Sequence, residues 1–392
     1  MEDTKIEWAT HTFSPWEGCE KISPGCTNCY AAARAKRLGT SKWGANGTRV
    51  IRSESFWRAP HRWNANAGWC GNPYCKEPGR RQNIRPGKCS CGLDVERPRV
   101  FCASVADVFE DWQGGSDGDG SMTCYKTGEE LSVNQNGHVW PMSWPSMSDG
   151  DDFGARPYTM ADVRARLWRL IDATPALDWL LVTKRPENIH RFTPARNLGP
   201  REDDSTSGAA DPDWPFWRDN VWHLASVEDQ ATADRRIPEL LKVRSACLGL
   251  SMEPLLESVQ LRETFKDGSY RDYLTGQFHN MTAKGANGHP DFVFSTADPS
   301  LPKLGWIIVG GESGQQARPT RIDAIRGVVQ QCRNGKTPVF VKQLGAAPVT
   351  ALSLPVVRPD GTRISDKKGG VMEEWPTDLR VRQSPVPRSY HR

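Results

Sequence analysis

Three cysteines stand close together near the start of the chain: Cys19, Cys26 and Cys29, the last followed by Tyr30. Gly18, Pro24 and Gly25 let the backbone of this loop wrap closely. Three thiolates on one loop can hold three irons of a [4Fe-4S] cluster and leave the fourth iron open to a small molecule. A structural zinc site needs a fourth protein ligand, for which His11 is the nearest candidate. A chance group of buried free thiols is the remaining reading.

A second group, Cys70, Cys75, Cys89 and Cys91, lies in a stretch rich in Gly, Pro and Arg. Four thiolates so close in sequence could form a zinc knuckle, which would let a short, core-poor insert fold. Neither pair has the two-residue spacing of common zinc motifs, so a second iron–sulfur cluster, or no metal, stays open. Cys102, Cys124, Cys247 and Cys332 stand apart. Buried, inert thiols are the expectation for them. The cysteine count is 11, an odd number, and the charged N-terminus lacks the apolar stretch of a signal peptide. A reducing, cytoplasmic compartment is expected, where thiols serve as ligands or stay free.

The elements that must position these groups show in the hydrophobic pattern. Short apolar runs, each at or just before a polar residue, recur at Arg99 to Ser104, Asp178 to Thr183, Val221 to Ser226, Ala246 to Ser251, Trp306 to Val309 and Pro338 to Val341. They are nearly continuous rather than alternating, as strands buried on both faces of a parallel sheet are. Helices are expected between them, at Cys29 to Leu38, Met160 to Asp172, Ala231 to Leu241 and Ile322 to Cys332. Val163, Leu167, Leu170 and Ile171 mark one face of the second. Alternating strand and helix predicts an α/β fold, either an open doubly wound sheet or a partial or full (βα) barrel of TIM type.

Four polar, turn-rich stretches interrupt the pattern, at about 63–97, 113–154, 198–219 and 259–303. Loops of this length are functional, disordered or small inserted modules. The expected organisation is a barrel core over 1–345 carrying these four insertions, with 346–392 as a C-terminal extension.

The composition excludes several classes. A hydrophobic share of 37% is enough for a sizeable core, and no apolar run is long enough to span a membrane. The net charge of +4 is no polycation, but it is unevenly spread. Arg34, Lys36, Arg37, Lys42, Arg49, Arg52, Arg58 and Arg62 face a single acid, Glu54, with Trp43, Phe56 and Trp57 interleaved. Basic residues mixed with aromatics suit a phosphate backbone and unstacked bases. A solvated face with a few buried aromatics fits equally well. The stretch 105–155 is acidic and would repel a polyanion or fold over the patch as a lid.

Cys-x6-Cys-x2-Cys-Tyr-Ala resembles a variant of the three-cysteine signature of radical SAM enzymes, whose usual spacings are x3 and x2. More specifically, the chain resembles the phage-associated three-Cys-motif family, found in phages and bacteria and radical-SAM-like. The matching segments are WATHTFSPWEGC, GCTNCYA, LLVTKRPENI, SVEDQATADRRIPELL, LSMEPLL, WIIVGGESG, ARP and VFVKQLG, spread in one order from Trp8 to Gly345. The resemblance implies a barrel of the radical SAM kind. It implies that Cys19, Cys26 and Cys29 ligate a [4Fe-4S] cluster and that S-adenosylmethionine (SAM) chelates its unique iron. One-electron reduction would cleave SAM to methionine and a 5′-deoxyadenosyl radical, which takes a hydrogen atom from a substrate. A reductant such as flavodoxin or ferredoxin is then an implied partner. Tyr30 holds a position that is often aromatic and close to the adenine in radical SAM enzymes; core packing is its plainer role.

In βα barrels functional side chains sit at the C-terminal ends of strands. Polar residues recur there: Ser104 and Asp107, Thr183 to Arg185, Ser226 with Glu228 and Asp229, Ser251 with Glu253, Glu312 with Ser313, and Lys342 with Gln343. Glu228, Glu253 and Glu312 could take the SAM amino group or ribose hydroxyls. Lys184 and Lys342 could meet the SAM carboxylate or an anionic substrate. Lys184, Glu228, Glu253 and Lys342 are the catalytic candidates; Tyr30, Ser104, Ser226, Glu312 and Ser313 are the cofactor-binding ones. Gly310 and Gly311 before Glu312 permit a close backbone approach to a ligand, without forming a dinucleotide-binding fingerprint.

The expected function is that of a radical SAM enzyme, whether isomerase, lyase or transferase, acting on a nucleobase or base-linked group in phage DNA modification. Its expected setting is the cytoplasm, of a host cell if the chain is phage-encoded. A small molecule or peptide is the alternative substrate. A non-catalytic, zinc-stapled nucleic-acid-binding protein is the alternative outside enzymology.

Overall fold

The structure is a computed structural model that describes residues 4–67, 87–88, 94–95, 97–113, 122–124, 129–134, 139–141, 156–194, 218–279, 295–297 and 302–385. Its largest sheet has seven strands: β1 (His11–Phe13), β2 (Arg99–Cys102), β3 (Asp178–Thr183), β4 (Val221–Ser226), β5 (Cys247–Met252), β6 (Trp306–Gly310) and β7 (Val339–Gln343). Their order in the sheet is their order in the chain. The β1–β2, β2–β3, β5–β6 and β6–β7 pairings are parallel. An order without reversal has no switch point, so the doubly wound alternative does not apply. The fold is α/β on a parallel sheet.

Five main helices accompany the strands: α1 (Tyr30–Leu38), α2 (Glu54–Asn66), α3 (Met160–Asp172), α4 (Gln230–Leu241) and α5 (Ile322–Asn334). Four agree with the sequence pattern within a residue or two. Helix α2 was hidden in the basic-aromatic stretch. Pro60 lies inside it, where a proline normally argues against a helix. Its buried residues are Trp57, Pro60 and Trp63, each three apart and so on one face. Strand β1 is too short to show as an apolar run.

The chain divides into two compact units. One comprises Met1–Ile22, Cys29–Trp222 and Ser389–Arg392; the other comprises Ser23–Asn28 and His223–Arg388. In the first, Phe13 packs against Phe56, Trp57 and Trp179, with ring centroids 5.0, 5.3 and 5.5 Å away. The expected face of α3 is buried at Val163, Leu167, Leu170 and Ile171. That helix is capped by Asp162, whose carboxylate accepts from the Thr159 backbone N–H at 2.9 Å. Gly39, at φ +62°, ends α1 in the left-handed conformation that glycine adopts without strain.

In the second unit, Leu250, Met252, Ile307, Ile308, Val309 and Val341 form the sheet core, against Ile325, Val328, Val329 and Cys332 of α5. Gly249 lies opposite Trp306 across β5 and β6; a Cβ there would come within 2.7 Å of the Trp306 carbonyl oxygen. The segment 381–383 runs along β7, with Val341 N–H donating to the Val381 carbonyl at 2.8 Å and Gln383 N–H to that of Val339 at 2.9 Å. A strand edge is thereby covered by the chain's own C-terminal part.

Small antiparallel pairings occupy three of the polar stretches. Strands Arg262–Thr264, Tyr270–Asp272, Gln277–His279 and Ser295–Ala297 form one sheet. Leu131–Val133 pairs with Val139–Pro141 and with Arg156–Pro157, and Gly87–Lys88 pairs with Asp94–Val95. Among the described residues no helix is long and apolar enough to cross a membrane.

Candidate functional site

In the first unit, Cys19 follows Gly18, whose φ of +125° and contact with Thr48 admit no side chain; a Cβ would lie 2.3 Å from the Thr48 carbonyl oxygen. Beyond Cys19 lies a buried set of charges. Arg49, fully buried, grips Glu110 with two hydrogen bonds of 2.8 Å. Arg185 pairs with Asp107 at 3.1 Å and lies 3.6 Å from Glu110. Its Nη1 also points to the Cys19 sulfur, at 3.9 Å. Asp107 accepts further bonds from the Thr183 hydroxyl at 2.7 Å and the Lys184 backbone N–H at 3.0 Å.

The two arginines balance the two carboxylates, as burial requires. A Cys19 thiolate would add an unbalanced charge. Burial pushes the Cys19 thiol well above the usual range, Glu110 and Asp107 add to this, and Arg185 opposes it. For Arg185, burial works against the charge, but Asp107, Cys19 and Glu110 together hold its pKa above the ordinary value.

Tyr30 is 57% exposed at the start of α1, so it is not a core residue. Its hydroxyl donates to the Ser104 carbonyl at 2.6 Å, and the Ser104 hydroxyl lies 3.3 Å from that of Ser14. Cys29 caps α1, its carbonyl accepting from the Ala33 N–H. Lys184 is half-buried at the end of β3.

In the second unit, Pro24–Cys26 forms a single 3-10 turn, and the Cys26 sulfur lies 3.7 Å from the Ser23 hydroxyl. Glu228, 1% exposed, accepts from the Gly25 N–H at 3.2 Å and pairs with the fully buried Arg236 at 2.7 Å. Arg236 also donates to the Ser226 carbonyl at 2.8 Å. Glu312 receives Arg318 through two side-chain N–H groups, at 2.6 and 2.9 Å, and the Asn28 side chain at 3.1 Å. Burial alone would raise the Glu312 carboxyl; these bonds more than offset it and hold its pKa below the usual glutamate value. Glu253 pairs with Lys342 at 3.2 Å. Ser313 is half-buried in the turn that follows Glu312.

The glycines before Glu312 are approached closely, but by the chain itself. A Cβ on Gly310 would lie 2.8 Å from Glu253, and one on Gly311 would lie 2.3 Å from the Leu344 carbonyl oxygen. The basic-aromatic stretch is likewise partly internal. Arg49 and Trp57 are buried, and Arg34 and Arg52 both pair with the buried Glu17 at 3.2 Å. Lys36, Arg37, Lys42, Arg58 and Arg62 are exposed.

Cys19, Cys26 and Cys29 are free thiols, as are the buried Cys102, Cys247 and Cys332 and the half-buried Cys124. Burial pushes Cys332 up to about 12, which makes it inert at neutral pH. Among the described residues no three His, Cys, Asp or Glu side chains are gathered as a metal-holding group. Cys70, Cys75, Cys89 and Cys91 lie outside the described residues.

A family model described as "protein of unknown function (DUF5131)" matches residues 3–113 and 142–373. The chain belongs to this DUF5131 family. The DUF5131 match takes in the three-cysteine loop and every strand end named above, and it skips 114–141, inside the acidic second interruption. No curated protein and no solved structure matches the chain.

Sequence reasoning named Asp107 and Arg185 only among the polar residues at strand ends, without a role, and gave none to Glu110, Asn28 and Arg318. Two signals were present: Arg185 adjoins Lys184 at a strand end, and Asn28 lies inside the Cys26–Cys29 pair.

Proposed function

We propose that this chain is a radical SAM enzyme built on a partial (βα) barrel of TIM type, with Cys19, Cys26 and Cys29 as the residues that would hold a [4Fe-4S] cluster. One observation carries the reading: three free thiols in the order Cys-x6-Cys-x2-Cys, on the loop between β1 and α1 of a sequentially ordered parallel sheet. The fit rests on donor chemistry, since three thiols on one loop suit such a cluster and no disulfide ties them among the described residues. When bound, the cluster would supply the electron that splits SAM and so start hydrogen abstraction.

The chain's own residues have three tasks in this reading. Arg185, fixed by Asp107 and Glu110, presents an N–H to the Cys19 sulfur. The paired Glu253 and Lys342 offer SAM or substrate a carboxylate and an ammonium. Tyr30 offers an exposed aromatic face beside the cysteine loop for stacking against a base. A nucleobase or base-linked group is the substrate class proposed, met by Lys36, Arg37, Lys42, Arg58 and Arg62, with flavodoxin or ferredoxin as reductant.

Anaerobic reconstitution tests the proposal. The expected result is absorbance near ~400 nm, about four irons per chain, and SAM cleavage that depends on a reductant and is lost in Cys26→Ala. A colourless protein that binds only zinc would sink it.

A further inference from the structure

The sequence assigns Glu228 and Glu312 to SAM, but both are occupied by the chain itself. Four N–H donors converge on Glu312: the Asn28 side chain at 3.1 Å, the Arg318 backbone at 2.8 Å, and Arg318 Nε and Nη2 at 2.9 and 2.6 Å. A carboxylate has about four acceptor sites, so little capacity remains for an ammonium group. Arg318 goes on to donate from Nη1 to the Pro24 carbonyl at 3.0 Å, and Asn28 donates to the Gln316 carbonyl at 2.7 Å. Glu228 divides its oxygens between Arg236 and the Gly25 N–H. Gly25 is held tightly, since a Cβ there would stand 3.1 Å from the Glu228 carboxyl.

These contacts share one target. Pro24, Gly25 and Asn28 flank Cys26 in a six-residue segment, Ser23–Asn28, that the chain division groups with 223–388 rather than with its sequence neighbours. We infer that Glu312, Arg318 and Glu228 are positioning residues that latch the backbone around Cys26, and that they are not ligands of SAM.

The inference rests on the proposed cluster for its purpose, though the latch itself can be read without iron. Its physical basis is directional. Arg318 presents a planar fork that satisfies Glu312 on one side and the Pro24 carbonyl on the other, which a lysine cannot reproduce. Charged, partly buried hydrogen bonds of this kind are among the stronger ones available to a loop. Within the segment itself a single turn adds local bonds, such as Cys26 N–H to the Ser23 carbonyl at 2.9 Å.

The test uses the full-length, metal-free protein and its reconstituted form. Iodoacetamide labelling of individual cysteines is followed by mass spectrometry in Arg318→Met, Arg318→Lys, Glu228→Gln and the parent. Labelling of Cys26 is expected to rise about tenfold in Arg318→Met, the factor that loss of one charged hydrogen bond gives. Arg318→Lys should fall between, and buried Cys332 should stay unlabelled throughout. In the reconstituted protein the Arg318→Met change should alter the electron paramagnetic resonance of the reduced cluster and lower kcat for SAM cleavage, with KM for SAM unchanged. Unchanged Cys26 labelling together with a raised KM would overturn the latch and return Glu312 to SAM. An equal rise at Cys332 would also overturn it, since the effect would then be general unfolding. If the parent takes up no iron, the proposed function fails, while the labelling comparison still decides the latch.

Discussion

Arg185 stands with one guanidinium nitrogen 3.1 Å from Asp107 and 3.9 Å from the sulfur of Cys19. A single side chain at the end of β3 thus neutralises a buried carboxylate and addresses a cysteine 166 residues earlier in the chain. Removing it would leave Asp107 buried without its counter-charge. Arg185→Met is expected to cost about 3–5 kcal/mol of stability. Asp107→Asn combined with Arg185→Met should recover part of the loss, because the orphaned charge is then gone. Urea midpoints of the two variants check this, and equal destabilisation in both would refute it.

Two glycines should respond in opposite directions to alanine. Gly327 is exposed within α5 with nothing within 4 Å of an added Cβ, so Gly327→Ala should stabilise by about 1 kcal/mol. At Gly311 the new methyl would meet the Leu344 carbonyl at 2.3 Å and the Thr320 hydroxyl at 2.5 Å. Backbone must move there, and Gly311→Ala should lower the thermal midpoint markedly. Thermal melts of the pair, read side by side, decide the matter; a neutral Gly311→Ala would contradict the packing described.

The Glu312 carboxyl titrates below its usual value in the folded chain because of Arg318 and Asn28, against the opposing effect of burial. A carboxyl depressed by folding contributes stability that is present above its unfolded value, about 4.3, and is lost as pH falls through the folded value. Stability measured from pH 7 down to pH 3 should therefore fall in the acid range, and Glu312→Gln should flatten that fall. The same acid slope in parent and variant would exclude this assignment.

The basic-aromatic stretch separates into two kinds of residue. Trp57 is 3% exposed and packs edge-on to Phe13. Trp57→Ala should destabilise the fold by about 3–5 kcal/mol rather than remove a stacking platform. Arg58 and Arg62 are exposed on α2. If nucleic acid binds this stretch, Arg58→Ala with Arg62→Ala should lower the slope of log K against log salt by about 1 to 2 and leave stability nearly unchanged. Filter binding across a salt series measures it; no salt dependence in the parent would count against a nucleic-acid substrate.

Much of the scaffold was readable in the residues. Strands β3 and β4 stand at the expected boundaries, because a strand covered on both faces must be apolar at consecutive positions. Helix α3 showed its face through Val163, Leu167, Leu170 and Ile171. What stayed hidden had local reasons. Strand β1 spans His11–Phe13, too few residues for a pattern, and Pro60 disguised α2.

The candidate site divides in the same way. The thiols of Cys19, Cys26 and Cys29, their spacing and the polar residues at the strand ends belong to the primary sequence. Which partner each strand-end residue takes was decided only by the tertiary structure. Gly25 meets Glu228 across 203 positions of the chain, and Asn28 meets Glu312 across 284. A carboxylate's residue type states that it can bind a cation or an N–H donor; it does not state which one arrives. Buried charges must find partners, and folding supplied Arg236 to Glu228 and Arg318 to Glu312. Residues that read as open binding groups in the sequence thus carry partners from within the fold.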